Sequence, residues 1–316
     1  MLKTHCQNAF SPVLKRIAID LGLLHALGKQ ASFARICKGR VILRQFGQLT
    51  MGRRVMKDKF MSLGRPFIEF IKTQSVIRSK IKKTFECLGY DIYKLGSLGH
   101  DPFRDMKQLV ISDKPMILDV GANIGQSIRI FRKWFGNSIF HSFEPGDSTF
   151  SILKQNTRHL RDVYLNNIAL GKKRGTNKLI EHKESQMSSF LEPGKDCWGR
   201  VTGETLVRVD TLDAYCKRKG ISKIDILKTD TQGYDLEVIK GGSQLLSDNR
   251  IHLIFIEIGF LEIYKDAPSL DTIYRFLVAN RFKLVSFYRF NYINNIAGWC
   301  DALFANPHFA DNNPSY

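Results

Sequence analysis

The sequence predicts an α/β protein built on a mostly parallel sheet that closes with an antiparallel hairpin. Three observations carry this. Met116–Gly125 (MILDVGANIG) reads as an apolar run, an acid, a glycine-bounded turn and the start of a helix. Apolar runs and helical spacings then alternate downstream, as they do in parallel sheets. The last two apolar runs, Phe282–Tyr288 and Ala302–Ala305, have no helix between them, only the Asn/Gly-containing segment 291–298.

In chain order, residues 1–83 read as a basic helical extension and 84–316 as the main domain. Val13, Leu14, Ile17, Leu21 and Leu24 follow helical spacing, as does a second set from Phe67 to Ile77. Phe85–Lys94 reads as a short strand or hairpin entering the main domain, and Leu109–Ser112 as a helix end. Met116–Val120 is nearly continuous in apolar residues, the pattern of a parallel strand covered on both faces. From Ile124 the spacing turns helical through Ile128, Phe131 and Phe135. Ile139–Phe143 is the second strand, Phe150–Asn156 a helix and Val163–Ala169 the third strand. A basic turn at Lys172–Lys178, a strand at Leu179–His182, a loop at Met187–Phe190 and a strand at Leu206–Val209 follow. Asp210 to Asp213 places acids at a helix N-terminus, and Gly220 stops that helix. Ile224–Lys228 is a strand leading into Asp230–Asp235, and the next helix ends at Gly241-Gly242. Leu253–Ile258 is a very apolar strand, and Ser269–Asn280 is the last helix.

The chain has 316 residues, an ordinary apolar share of 43% and a net charge of +18. The charge is uneven: residues 1–100 hold 19 Lys/Arg against 5 Asp/Glu, the rest 29 against 25. The basic character therefore belongs to the N-terminal segment. A solvated helical extension is the preferred reading of 1–83, ahead of docking on an anionic membrane surface and then nucleic-acid binding. Cys6, Cys37, Cys87, Cys197, Cys216 and Cys300 form no CxxC pair, which favours reduced thiols in a cytoplasmic protein over zinc or a disulfide framework. Ile17–Leu27 is too short to span a bilayer.

The glycine turn opens a Rossmann-like unit, whose ligand sits beyond the carboxyl end of the strand. A pyrophosphate site wants G-x-G-x-x-G. Here the pattern is Asp119-x-Gly121-x-Asn123-x-Gly125, and the acid ahead of the turn repels a pyrophosphate but suits a cation. S-adenosylmethionine carries a sulfonium and no phosphate. Glu144, at the end of the second strand, can accept both ribose hydroxyls. Singly, each glycine is an ordinary turn residue and each acid an ordinary solvated charge; the joint spacing favours the nucleotide.

DVGANIG at 119–125, FEP at 143–145, NNIALG at 166–171, VDTLD at 209–213 and KTDTQGYDLEVIKG at 228–241 resemble the FkbM-type S-adenosylmethionine-dependent methyltransferases. The resemblance covers roughly residues 85–305. It implies a class I methyltransferase sheet of seven strands with a terminal antiparallel hairpin, S-adenosylmethionine as cofactor, and O-methylation of a hydroxyl on a sugar, glycan or other small molecule. It also implies that Asp119, Gly121, Asn123 and Gly125 hold the methionine end, Glu144 the ribose, and Asn167, Ile168 and Ala169 border the adenine. Asp235 departs from the family, which more often has Glu there.

Methyl transfer to a hydroxyl needs alignment and a group that removes a proton. Asp230 ends the strand beside the cofactor strand and is the first choice for general base or hydroxyl ligand; a helix N-cap is its competing reading. Glu257 is the second catalytic candidate. Gln232 and Asp235 are candidate substrate contacts, and Lys228 reads as half of a structural ion pair. Asp230, Asp235 and Glu257 as a metal set have nothing that fixes their geometry, so no metal is assigned. His182 and Ser188-Ser189 lie on a segment able to cover the site. A nucleic-acid methyltransferase, a non-catalytic Rossmann-fold binding protein and a nicotinamide oxidoreductase are the alternatives.

Overall fold

The apolar run Met116–Val120 forms strand β1 of the computed structural model, and its side chains divide by parity between two cores. Ile117 packs with Phe103, Met106, Phe131 and Phe140, whereas Leu118 and Val120 pack with Phe143, Leu212 and Leu236. This period of two, with both faces apolar, is what a strand buried between helical layers requires. β7 (Ile224–Thr229) is buried at all six residues, and β8 (Ile251–Gly259) splits between the same two cores.

The structure describes residues 35–37, 40–42, 76, 79–90, 93 and 96–309. The chain divides into two compact units, Met1–Lys94 and Leu95–Tyr316. In the first, Arg35–Cys37 pairs antiparallel with Arg40–Ile42. The helices expected over 1–83 otherwise lie outside the described residues, as does any surface that would dock on a membrane or nucleic acid. Among the described residues of Phe85–Lys94, where a strand or hairpin is expected, no strand is formed. Residues 79–87 are helical, with Lys82 and Glu86 paired one turn apart at 3.5 Å, and Gly89 turns the chain at φ 78°. Among the described residues no helix is long and apolar enough to cross a membrane.

The second unit begins with α1 (Pro102–Leu109) ahead of β1. Then come α2 (Gln126–Trp134), β2 (Ile139–Phe143), α3 (Asp147–Thr157), β3 (Val163–Asn166), β4 (Ala169–Leu170), β5 (Gly175–His182) and β6 (Val201–Asp210). After α4 (Leu212–Lys219) and β7 come α5 (Asp235–Lys240), α6 (Ser243–Ser247), β8, α7 (Leu270–Ala279), β9 (Lys283–Ile293) and β10 (Ile296–Ala305). The main sheet has seven strands in the order β9-β10-β8-β7-β1-β2-β3. β10 runs antiparallel to both neighbours, and the other pairings are parallel. The order reverses between β1 and β7, so their carboxyl ends open a crevice. This is the class I methyltransferase arrangement that the resemblance implies, a parallel sheet with one reversed strand, second from the edge.

The helix at 212–219 has the caps its sequence prescribes. Thr211 accepts from the Ala214 amide, and Gly220 ends the helix at φ 66°. Other boundaries differ from the sequence reading for identifiable reasons. The third strand stops at Asn166, whose side chain bonds the Ser142 and Tyr164 carbonyls, and Ala169-Leu170 passes to a second sheet of order β4-β6-β5. β5 starts inside the basic segment, at Gly175, and β6 begins at Val201, because both ends are exposed and carry little apolar signal. Gly241 ends α5, but it is also a close contact: a Cβ there would lie 2.2 Å from the Gly171 carbonyl. α6 therefore follows at once. The hairpin turn is only Asn294-Asn295, both left-handed, so β9 and β10 run further than their apolar cores.

Candidate active site

The glycine turn after β1 is shaped by what lies behind it. A Cβ on Gly121 would stand 1.9 Å from the Asp230 carbonyl, so the turn and the end of β7 touch through bare backbone. Gly125, at φ 90°, opens α2 against Leu153 and Thr157. Asn123 takes φ 46° and donates its amide to Glu144 Oε2 at 3.0 Å. Glu144 Oε1 accepts from the Gly146 amide at 3.0 Å. The carboxylate is thus held by two backbone donors, with lone pairs left over. Burial pushes its pKa up to about 7, against the pull of the two amides.

Asp119 is fully buried and stands behind the turn. It accepts from Ser127 Oγ at 2.6 Å and pairs with Lys228 Nζ at 3.1 Å. Lys228 also donates to the Gly121 carbonyl at 2.9 Å and lies 3.5 Å from Asp230 Oδ2. Burial alone would lower the Lys228 pKa; Asp119 and Asp230 more than offset this, and it is raised. The ion pair expected of Lys228 is therefore the strut that ties β1, its turn and β7 together.

Beyond the carboxyl ends of the strands lies a cavity of about 1170 Å³. Gly121, Asn123, Glu144, Ile168 and Ala169 line it from the β1–β3 side of the sheet, and Asp230, Gln232, Asp235 and Glu257 from the β7–β8 side. Asp119, Gly125 and Asn167 are not in its wall. They act through what they hold: Asp119 the strut, Gly125 the helix start, and Asn167 the carbonyls of Glu144 and Pro145 through its side-chain amide. His182 also stands outside the wall, buried, while Ser188 and Ser189 are in it.

On the β7–β8 side Gln232 is the central piece. It takes φ 57°, a left-handed conformation that leads into Gly233. Its side-chain amide donates to Asp230 Oδ1 at 2.9 Å and to Glu257 Oε2 at 3.2 Å, while Tyr264 Oη lies 2.9 Å from its carbonyl oxygen. Asp230 does not cap α5; it bonds Gln232 and faces Lys228. Asp235, buried, instead accepts the Thr231 amide at 3.0 Å. Burial and the nearby Asp230 push Asp235 up to about 6. Glu257 is raised well above the usual carboxylate range by burial and by Asp230, Asp235 and Asp301.

Three wall residues escape a reading of the sequence. Asp301 lies opposite Glu257 across the β8–β10 ladder, Arg289 reaches within 3.9 Å of it, and Tyr264 comes from the loop after β8. Hairpin register brings the first two in, and register is not visible until the Asn-Asn turn is located. Among the described residues, no group of three or more His, Cys, Asp or Glu is arranged to hold a metal ion.

A sequence model of the methyltransferase FkbM domain matches residues 119–284, just over half of the chain. The chain belongs to the FkbM methyltransferase family. It is 27% identical over 181 residues to the 2-O-methyltransferase NoeI of Sinorhizobium fredii (strain NBRC 101917 / NGR234), an overlap of 54% of this chain and 74% of that relative. Among solved structures it is similar to an rRNA methylase from Streptococcus thermophilus, with 13% identity and a TM-score of 0.37 over 64% of this chain and 91% of that one. It is also similar to the magnesium protoporphyrin IX methyltransferase of Synechocystis PCC 6803, with 9% identity and a TM-score of 0.38 over 82% and 100%. The protein is accordingly an S-adenosylmethionine-dependent methyltransferase of FkbM type.

Proposed function

We propose that the protein transfers the methyl group of S-adenosylmethionine to a hydroxyl of a neutral sugar or glycan, in the cavity between β1, β7 and β8. The observation that carries this reading is the division of that cavity. One end offers a backbone turn without side chains and a carboxylate with spare lone pairs, which suits the methionine and ribose parts of the cofactor. Glu144 would take the ribose hydroxyls, Gly121 and Asn123 the methionine end, and Ile168 and Ala169 the adenine; Asp119 and Gly125 would shape the turn from behind and Asn167 would brace the Glu144 segment. The other end combines carboxylates with Trp299, Tyr264 and Phe260. Carboxylates accept from sugar hydroxyls, and aromatic faces cover the apolar face of a sugar ring. At about 1170 Å³ the cavity exceeds what one drug-sized ligand fills, leaving space for an acceptor beside the cofactor. The 2-O-methyltransferase activity in the name of the 27% identical relative supports oxygen as the methylated atom.

The acceptor hydroxyl would be received among Asp230, Gln232 and Glu257, with Asp235 fixing the loop that presents them. When bound, the cofactor supplies an electrophilic methyl carbon. The chain's own part is to hold the hydroxyl in line, exclude water and accept a proton. A nucleic-acid acceptor fits less well. Asp230, Glu257, Glu262, Asp266, Asp271 and Asp301 all line the cavity, and acids repel phosphates. The test is a mass-spectrometric screen of neutral sugars, acidic sugars and RNA with the purified protein and S-adenosylmethionine. Methylation of a neutral sugar is expected; methylation of RNA alone would overturn the reading.

A further inference from the structure

We propose that Asp301 takes the proton of the acceptor hydroxyl while Glu257, its partner across the β8–β10 ladder, stays protonated and holds it in place; Asp230 serves instead as the anchor of Lys228 and Gln232. This rests on the hydroxyl-methylation reading above and assigns the proton within it.

The geometry points this way from three sides. First, Glu257 and Asp301 are directly opposed in the antiparallel register. Opposed residues project on one face with Cβ atoms about 4.5–5.5 Å apart, and both line the cavity. Two carboxyls so close do not both ionise readily. Second, Asp230 is already engaged. One oxygen lies 3.5 Å from the Lys228 ammonium, and the other accepts from Gln232 at 2.9 Å. Both of its oxygens are therefore held by neighbours, whereas the ion-pair partner of Asp301 is Arg289 at 3.9 Å. Third, Gln232 donates to Glu257 Oε2 at 3.2 Å, which leaves Oε1 as the oxygen to carry the proton.

The charged groups around the pair are Lys228 on β7, Asp230 just after it, Asp235 on α5 and Arg289 on β9. Arg289 at 3.9 Å biases the ionised form toward Asp301 rather than Glu257. Asp301 is pushed up to about 6, by burial and then by Asp230, against Arg289 and Lys228. Glu257, raised well above the usual carboxylate range by burial and by Asp230, is the member of the pair that keeps the proton in this assignment. In the transfer, the acceptor oxygen forms its bond to the methyl carbon as the carbon–sulfur bond breaks. The bonding pair leaves on sulfur as a neutral thioether, and the hydroxyl proton passes to the Asp301 carboxylate.

The experiment has two readouts on the full chain bound to S-adenosylhomocysteine or turning over. Carboxyl carbon NMR from pH 4 to 9 needs no acceptor. For the assigned Glu257 and Asp301 signals the expected result is one titration near 6 and one well above it, collapsing to a single Glu257 step in Asp301→Asn. Two steps in the ordinary carboxylate range would overturn the pair, whatever the acceptor proves to be. With an acceptor in hand, Asp301→Asn should lower kcat at least about 100-fold with unchanged cofactor affinity and remove the acidic limb near pH 6. Glu257→Gln, which keeps a neutral donor, should stay within about tenfold of the parent. Asp230→Asn abolishing the acidic limb while Asp301→Asn retains it would return the proton to Asp230. Failure of the parent to methylate any hydroxyl, with the paired titration intact, would overturn the hydroxyl reading, and with it the proton step, but not the coupled pair.

Discussion

The two ends of the cavity are built in opposite ways. The end proposed for the cofactor comes mostly from one short stretch, Met116 to Gly146, completed by Ile168 and Ala169; within the stretch the pieces fix one another: Gly121 against Asp230, Asn123 onto Glu144, Glu144 onto Gly146. The acceptor end is assembled from β7, the loop before α5, β8, the loop after it, and both strands of the hairpin. A local end of this kind holds an unvarying ligand with backbone groups, whereas an end drawn from six segments can change its acceptor by changing side chains. The strut Asp119–Lys228 joins the two.

The sharpest way to break this comparison is to remove the strut. Lys228→Met leaves Asp119 fully buried without its cation. A loss of about 3–5 kcal/mol in urea unfolding is expected, the cost of stranding one member of a buried pair. A stability within 1 kcal/mol of the parent, an order-of-magnitude threshold, would show that the two ends are not tied through it.

Removing one end should leave the other intact. Glu144→Gln is expected to weaken S-adenosylmethionine binding by about 1–3 kcal/mol, the scale of a hydrogen bond to a charged group, without altering affinity for an acceptor. The pH dependence has a definite sign. Only ionised Glu144 accepts from ribose hydroxyls on both oxygens, and its pKa lies near 7. The parent's affinity should therefore rise roughly tenfold more than that of Glu144→Gln between pH 6 and 8. Fold stability runs the other way. Because the folded pKa is raised above the ordinary value of 4.5, stability present below that value is lost as pH climbs toward 7.

The same contrast explains what was legible in the sequence. The turn, Glu144 and the 228–241 block are contiguous motifs, so their place at the carboxyl edge could be read directly. That Asp119 faces inward could not, because a strand covered on both faces gives no alternation to show which side an acid takes. Asp301 and Arg289 depend on hairpin register, and register depends on a two-residue turn concealed in the run Asn291–Asn295. The splitting of the third strand at Asn166 depends on that residue's side-chain bonds, which no periodicity reveals.

Smaller effects sharpen the account. Tyr264→Phe removes the hydroxyl lying 2.9 Å from Gln232 Oε1 and 2.8 Å from the Met187 carbonyl. A cost of about 1 kcal/mol in stability and slower turnover with unchanged cofactor affinity are expected. Gly220→Ala, at the left-handed end of α4 and away from the cavity, should cost about 1 kcal/mol and leave both affinities alone.

The most direct test is calorimetric titration of S-adenosylmethionine into the parent, Glu144→Gln and Asp230→Asn. The account predicts a clear loss of affinity in Glu144→Gln and parental affinity in Asp230→Asn. Equal weakening in both variants, or no binding by the parent, would contradict a cavity divided into a cofactor end and an acceptor end.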